Sequence, residues 1–193
     1  MILDKICYIG YRFYNKIASK IRNEYIVNCI TKDSYPPHVL GKIYVQVKTL
    51  KTGKNVTIYP GVYLWGNDIE IGDNVDIGIG TIIYSRKKVK IGNNTSIAGQ
   101  CYIIDSNHQI ELGTLIRDQS MDYMPEGLII GDDVWIAAQC SILKGARIND
   151  GVVIGEQTLV NSEIQRNAVV VGTPSKIIKY RKNSIQTNGK ETF

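Results

Sequence analysis

The sequence contains only two histidines, His38 and His108, among 193 residues. Catalytic zinc sites usually take several histidine ligands, so we expect no metal centre in this chain. The cysteines form neither a CxxC pair nor a zinc-like spacing, and there are four of them: Cys7, Cys29, Cys101 and Cys140. We interpret them as small buried thiols rather than as a disulfide framework.

Long apolar runs are also missing, so no segment has the length of a membrane-spanning helix. Near the N-terminus the apolar residues are interleaved with Lys5, Arg12 and Lys16 and do not form the single block of a signal peptide. We therefore expect a cytoplasmic protein. The net charge of +5 suits a small anionic ligand and is too weak to indicate nucleic-acid binding.

A six-residue repeat dominates the rest of the chain. An aliphatic side chain recurs at every sixth position over one long stretch: Ile130, Ile136, Ile142, Ile148, Ile154 and Val160. Four positions after each aliphatic stands a residue that is mostly small: Val134, Cys140, Ala146, Val152, Thr158 and Ile164. The same spacing occurs upstream in three shorter runs: Ile58 and Leu64, then Ile71, Ile77 and Ile83, then Ile91, Ile97 and Ile103.

A period of six matches neither a helix, which needs apolar residues every three or four positions, nor an isolated strand, which needs them every two. It fits short strands joined by corners, each strand turning one large aliphatic inward. Three such sides make a triangular coil of about 18 residues, and successive coils stack roughly 4.8 Å apart. The smaller residues, including Cys101 and Cys140, are expected in the corners, where a large side chain would not fit.

The first 30 or so residues follow a different pattern, with apolar residues every three or four positions and basic residues between them. This pattern predicts an amphipathic helix. The helix either caps the β region or contacts a membrane surface, and we favour the cap. We place a helical segment at 1–35, a β domain at 36–182 with strands that fray after Val160, and a tail at 183–193.

The repeat is absent between Ile104 and Ile129, which predicts a long loop over about 104–129 that carries His108. Loops of this length without internal structure are usually functional or disordered. Because this loop leaves the repeat and re-enters it in phase, we interpret it as the wall of an active site.

Three motifs give the chain a family resemblance: DSNH at 105–108, IGDDVWIAA at 130–138 and GTPSKII at 172–178. In this order, and together with the repeat, they resemble the hexapeptide-repeat acyltransferases, above all the acetyltransferases of sugars and surface polysaccharides. The resemblance covers about residues 50–182. It implies a left-handed parallel β-helix, acetyl-CoA as the donor and a homotrimer. The left-handed winding rests on the resemblance alone, since parallel crossovers are normally right-handed.

The resemblance also implies that His108 is a general base. A neutral imidazole can remove the proton of a sugar hydroxyl as its oxygen attacks the thioester, which accelerates transfer roughly 10²- to 10⁴-fold. Backbone N–H groups are expected to stabilise the oxyanion, and no acyl-enzyme is needed because the thioester is already activated. Either Asp105 or a backbone carbonyl is expected to hold the tautomer of His108.

The positions that the resemblance assigns to the coenzyme lie after the loop: Trp135, Ala138, Glu156, Asn161, Ser162, Lys176 and Lys179. Trp135 would lie beside the acetyl-pantetheine arm. Lys176 and Lys179 would meet the nucleotide phosphates. Ala138 and Glu156 are 18 positions apart, so we expect them to stack in a groove that follows the pantetheine.

The acceptor site departs from that of the small-sugar relatives. Where they carry an asparagine, this chain has Gly78 or Gly80, and where they carry an aspartate it has Tyr84 or Ser85. We place acceptor contacts at Tyr84 and Asp105 and leave the acceptor open. The alternatives are an antibiotic-inactivating acetyltransferase of the same fold and a non-catalytic β-helix for assembly or binding. A β-helical carbonic anhydrase is excluded because its zinc needs three histidines.

Overall fold

The computed structural model describes residues 34–182 and the single position 17. The described chain is a solenoid of parallel strands with three faces, which confirms the predicted all-β solenoid. The helical segment predicted for 1–35 lies almost entirely outside the described residues, as does the predicted tail at 183–193. Within the described part, no helix has the length and apolarity needed to cross a membrane.

The first face is an eight-stranded sheet. Its strands, in stacking order, are β1 (His38–Val39), β3 (Thr57–Ile58), β5 (Asp76–Ile77), β8 (Ser96–Ile97), β13 (Trp135–Ile136), β16 (Val153–Ile154), β19 (Ala168–Val171) and β20 (Lys176–Tyr180). All neighbours are parallel except β20, which turns back antiparallel to β19.

The second and third faces are joined in one ten-stranded sheet, because two long strands bend around the corner between them: β2 (Tyr44–Thr52) and β4 (Tyr63–Ile71). The second face continues with β6 (Ile82–Ser85), β9 (Tyr102–Ile104), β14 (Ser141–Ile142) and β17 (Leu159–Val160). The third continues with β7 (Val89–Ile91), β12 (Leu128–Ile130), β15 (Arg147–Ile148) and β18 (Glu163–Ile164).

The aliphatic residues of the repeat all point into the solenoid. On the first face Ile58, Ile77, Ile97, Ile136 and Ile154 pair in register from one strand to the next. Each of them is at most 1% exposed. Burying an isoleucine side chain stabilises the fold by roughly 1.5–3 kcal/mol, so these stacked columns are the core. The sequence prediction of inward ladders is confirmed.

The coils are less uniform than the predicted 18 residues. Ile58 pairs with Ile77 across a coil of 19 residues, whereas the coil from Ile136 to Ile154 has 18 and the coil from Ile154 to Val170 has 16. The next early coil, from Ile77 to Ile97, has 20 residues. The last coil is shorter because Val160 and Ile164 are only four positions apart, instead of six.

The last coils of the solenoid correct two predictions. Ile164 does not occupy a small corner slot, because it pairs with Ile148 and belongs to the inward ladder of the third face. The strands also do not fray after Val160, since β18 and β19 continue the solenoid and β20 closes it.

The corners depend on residues that tolerate a left-handed backbone. Asn55, Asn74 and Asn94 have φ values of 54°, 56° and 55° at the corner that precedes the first face. Asparagine accepts this conformation more readily than most residues. Their side-chain amides also stack, with Nδ2–Oδ1 distances of 3.0 and 2.9 Å. At the corner after the second face, Gly66 has no substitute, because a Cβ there would lie 1.8 Å from the carbonyl oxygen of Ser85.

Cys101 and Cys140 are free, buried thiols in the corner that precedes the second face, as predicted. Cys101 donates to the carbonyl oxygen of Ala137 and Cys140 to that of Gly155. Hydrogen bonding to Cys140, with burial, raises the pKa of Cys101 well above that of a free thiol. These thiols are therefore core residues.

Candidate functional site

A hairpin leaves the solenoid between β9 and β12, where the repeat is interrupted. Its strands are β10 (Ser106–His108) and β11 (Met121–Tyr123), and a 3-10 turn at Ile116–Asp118 lies near its tip. The strands are antiparallel, and His108 pairs with Met121. The predicted loop is therefore partly structured, which gives His108 a defined backbone position.

The hairpin is tied down at both ends. At its base Lys144, in the next coil, forms an ion pair with Asp122. At its tip the Gln119 side chain accepts a hydrogen bond from the backbone N–H of Glu111 at 2.9 Å and donates to the carbonyl oxygens of Glu111 and Thr114 at 2.9 and 2.8 Å. These contacts restrict the hairpin without covering His108.

His108 lies on the opposite face of the hairpin from Asp122, because neighbouring residues of a strand point to opposite sides. Its side chain is exposed and makes no hydrogen bond to another residue of the described chain. An exposed, unpartnered imidazole on an anchored strand is available to a ligand. Within residues 34–182 no side chain or carbonyl group therefore holds the tautomer of His108.

Asp105 was predicted either to orient His108 or to contact the acceptor, and the structure supports neither role. It is 1% exposed. Its carboxylate accepts hydrogen bonds from the backbone N–H groups of Arg86, Lys87 and Lys88 at 2.7, 2.7 and 2.8 Å. Both oxygens are thus used by the turn of the preceding coil. Asp105 is a structural residue at the point where the chain leaves for the hairpin.

Trp135 and Lys179 lie on the same outer surface, on the first face. Trp135 pairs with Val153, Val153 with Val169 and Val169 with Lys179. Three strand spacings separate Trp135 from Lys179, or roughly 14 Å. A shallow groove of about 450 Å³ borders Trp135, where Arg181 also binds the Asp133 carboxylate at 2.8 Å. Trp135 is 54% exposed.

Ala138 and Glu156 stack at the corner between the first and second faces. The Gln157 N–H donates to the carbonyl oxygen of Ala138 at 3.0 Å. Beside them the side chains of Gln139 and Gln157 are joined by a hydrogen bond of 2.9 Å. Lys176 is on the first face opposite Val171. This arrangement agrees with the stacking expected from their spacing.

Asn161 and Ser162 lie elsewhere, at the corner between the second and third faces. The carbonyl oxygen of Ser162 accepts a hydrogen bond from the N–H of Arg147, in β15 of the third face. The width of the second face separates them from Ala138 and Glu156. One chain therefore does not gather all the predicted coenzyme residues into a single groove.

Tyr84 is on the outer surface of the second face, where it forms a stack that the sequence analysis missed. Its ring lies 4.6 Å from that of Trp65 with an interplanar angle of 16°. The Arg86 guanidinium lies 5.3 Å from the Tyr84 ring centroid. The available signal was the 19-residue spacing of Trp65 and Tyr84, which equals one early coil.

The third face is polar and charged. Lys88 bridges Glu70 at 2.9 Å and Asp68 at 3.6 Å. The hydrogen bond from Lys88 holds the pKa of Glu70 below its ordinary value. Among residues 34–182 and 17, no group of three or more His, Cys, Asp or Glu side chains could hold a metal ion.

Residues 127–162 match the family model described as bacterial transferase hexapeptide (six repeats). The six-residue repeat of this stretch therefore matches a known transferase hexapeptide model, and it forms part of the parallel-strand solenoid described above. The resemblance stated from the sequence is confirmed for these residues. The matched stretch contains five of the predicted coenzyme residues: Trp135, Ala138, Glu156, Asn161 and Ser162. The comparison with curated proteins found no sequence match.

Solved structures with the same fold include two of AntD, an N-acyltransferase from Bacillus cereus. A mutant bound to dTDP-4-amino-4,6-dideoxyglucose and coenzyme A has a TM-score of 0.64 and 20% identity, over 79% of this chain and 88% of that chain. AntD with dTDP and 3-hydroxybutyryl-CoA has a TM-score of 0.64 and 19% identity, over 79% and 87%. A hexapeptide transferase family protein from Anaplasma phagocytophilum has a TM-score of 0.57 and 16% identity, over 76% of each chain. These likenesses establish the fold.

Proposed function

We propose that this chain is an acetyl-CoA-dependent O-acetyltransferase that acts on a hydroxyl of a sugar or surface polysaccharide. The observation that carries the proposal is the exposed His108 on an anchored hairpin, next to coils that match the transferase hexapeptide model. The structures of AntD with coenzyme A and a sugar nucleotide support a coenzyme A donor and a sugar acceptor. The left-handed winding implied by the resemblance is part of the proposal.

In this mechanism the neutral His108 imidazole takes the proton of the acceptor hydroxyl. The hydroxyl oxygen forms a new bond to the thioester carbonyl carbon, and backbone N–H groups stabilise the negative charge on the carbonyl oxygen. The carbon–sulfur bond then breaks, and the imidazolium returns its proton to the departing thiolate. The products are the O-acetyl ester and coenzyme A, with no covalent acyl-enzyme.

The first face offers a path for the coenzyme from Trp135 towards Lys179. The exposed indole would pack on the pantetheine arm, and Val153 and Val169 would continue the apolar surface. Lys176 and Lys179 are both exposed on β20 and free of ion pairs within the described chain. Ammonium groups in this position suit the coenzyme phosphates as mobile point charges.

Calorimetric titration should show that the full chain binds acetyl-CoA, and Lys176→Ala with Lys179→Ala should weaken that binding roughly tenfold. KM for acetyl-CoA should rise more than kcat falls, because phosphate contacts act equally on the ground and transition states. With dephospho-coenzyme A the effect should be smaller. Equal losses with both coenzymes would contradict a contact to the 3′-phosphate, and Lys90→Ala on the third face serves as the control.

We further propose a homotrimer in which a neighbouring subunit completes each site. The separation of Asn161 and Ser162 from the other coenzyme residues supports this arrangement. So does the hairpin tip, where large aliphatic residues are strongly exposed: Ile110 at 75%, Leu112 at 100%, Leu115 at 67% and Ile116 at 54%. Packing by three-fold symmetry would cover the tip without any additional sequence.

Light scattering should therefore give about three times the chain mass of 21.6 kDa. Replacing Leu112 and Leu115 by serine should lower the mass, while the same change at Leu40, far from the hairpin, should leave it unchanged. A stable monomer with full activity would contradict the shared site.

Two other functions stay open as alternatives. An antibiotic-inactivating acetyltransferase would use the same His108 chemistry on a different acceptor, which acceptor screening with labelled acetyl-CoA distinguishes. A non-catalytic assembly or binding protein would bind no acetyl-CoA. We propose a cytoplasmic location, in which residues 1–35 either cap the solenoid or contact the inner face of the membrane.

A further inference from the structure

The outer surface of the second face carries two adjacent columns of large apolar side chains in the early coils. One column runs through Tyr44, Tyr63, Ile82 and Tyr102, and the other through Trp65, Tyr84 and Ile104. We call these seven residues the aromatic strip. It crosses four strands, and their three spacings make it roughly 14 Å long.

The rings of the strip are ordered against one another and still open to a ligand. Tyr44 and Tyr63 stack with centroids 5.4 Å apart, and Trp65 and Tyr84 stack at 4.6 Å. Tyr44 is 43% exposed, Trp65 42% and Tyr102 39%. Prearranged, half-exposed rings offer a flat apolar surface that loses little side-chain freedom when a ligand binds.

A basic residue flanks each stack. The Lys42 ammonium lies 4.7 Å from the centroid of Tyr44, and the Arg86 guanidinium lies 5.3 Å from that of Tyr84. Within residues 34–182 neither cation forms an ion pair with a carboxylate. The surface thus combines apolar rings with available positive charge, which suits a ligand that has flat apolar faces and negative groups.

The strip leads to the hairpin. Tyr84 pairs with Ile104, the last residue of β9, and the chain then passes through Asp105 into β10, which ends at His108. Four residues of extended chain span at most roughly 13 Å. A ligand longer than one sugar ring could therefore lie on the strip and place one hydroxyl near His108.

We propose that the aromatic strip binds the acceptor as an acidic glycan chain, with sugar rings packed on the two stacks and carboxylate or phosphate groups paired with Lys42 and Arg86. The C–H faces of a pyranose are apolar and can pack on an aromatic ring, while its hydroxyls keep their contacts with water or with a neighbour such as Gln46, which pairs with Trp65. This inference rests on the proposed function and adds the acceptor class.

Calorimetry and tryptophan fluorescence with tetragalacturonate, with maltotetraose as the neutral probe, test the inference on the full chain. Tetragalacturonate should bind more tightly than maltotetraose, and added salt should narrow the difference. Trp65→Ala should weaken binding of tetragalacturonate roughly tenfold. Arg86→Gln should weaken it severalfold and reduce the salt dependence. The matched controls are Tyr59→Ala and Arg166→Gln, which lie outside the strip and should change nothing.

Acetyl-CoA binding should be the same in all four variants, so a failure of the coenzyme titration counts against the proposed function and not against the strip. Three results would overturn the inference. The first is that the full chain does not bind tetragalacturonate at millimolar concentration, and the second is that Trp65→Ala binds it as tightly as the wild type does. The third is that Trp65→Ala forms an assembly of lower mass than the wild type. The last result would make the strip a contact between copies of the chain.

Discussion

Replacing His108 by alanine is expected to lower kcat for acetyl transfer by roughly 10²- to 10⁴-fold, because the acceptor hydroxyl then loses its general base. The melting temperature and the affinity for acetyl-CoA should stay near the wild-type values, since the imidazole is exposed and makes no hydrogen bond within the described chain.

The second histidine provides a matched control. His38 is exposed on β1, in the first coil of the solenoid, well away from the hairpin. His38→Ala should therefore keep full activity. If His108→Ala retained a tenth or more of the wild-type turnover, the role of this residue as the base would be ruled out.

Replacing Asp105 by alanine is expected to destabilise the protein by about 3–5 kcal/mol. The change removes a buried acceptor and leaves three N–H groups, those of Arg86, Lys87 and Lys88, without a partner. For a chain of this size the melting temperature should fall by roughly 10 °C. Asp105→Asn should have an intermediate effect, because one side of the amide is a donor and would face an N–H group.

Hydrogen exchange gives a local measurement of the same effect. The amides of residues 86–88 should lose protection in Asp105→Ala before the rest of the solenoid does, since solenoid coils interact mainly with their neighbours. Asp76→Ala is the control, because this aspartate is exposed and its side chain makes no hydrogen bond within the described residues; its effect should stay within about 0.5 kcal/mol. Unchanged protection at 86–88 would contradict the structural role of Asp105.

The inward ladders could be predicted from the sequence because each depends on a local rule. Aliphatic residues spaced six positions apart can all face one interior only if the chain turns a corner between consecutive strands. The spacing alone therefore predicts that residues such as Ile136 and Ile142 are buried, as they are in the structure. The interruption of this pattern likewise predicted the loop that carries His108, although not its hairpin.

The errors concern contacts between coils. Asp105 was one of two alternatives for the group that orients His108, yet its carboxylate accepts hydrogen bonds from the turn 17–19 positions earlier. The prediction for Ile164 was wrong because the corner between Val160 and Ile164 is two residues shorter than the corners before it. Every later residue is therefore shifted by two positions. The stack of Trp65 on Tyr84 was missed for the same reason, since it depends on a coil of 19 residues rather than 18.

The sequence by itself determined the repeat, the identity of the buried ladders and the position of the loop, since burial of one side chain per strand is a property of neighbouring residues. Only the tertiary structure decided which outward residues meet. It places Trp135 and Lys179 on the same face of the solenoid, and it places Asn161 and Ser162 at a different corner. The physical reason is register: side chains of stacked coils come together according to the length of every corner between them, and those lengths follow from backbone hydrogen bonds that no local pattern specifies.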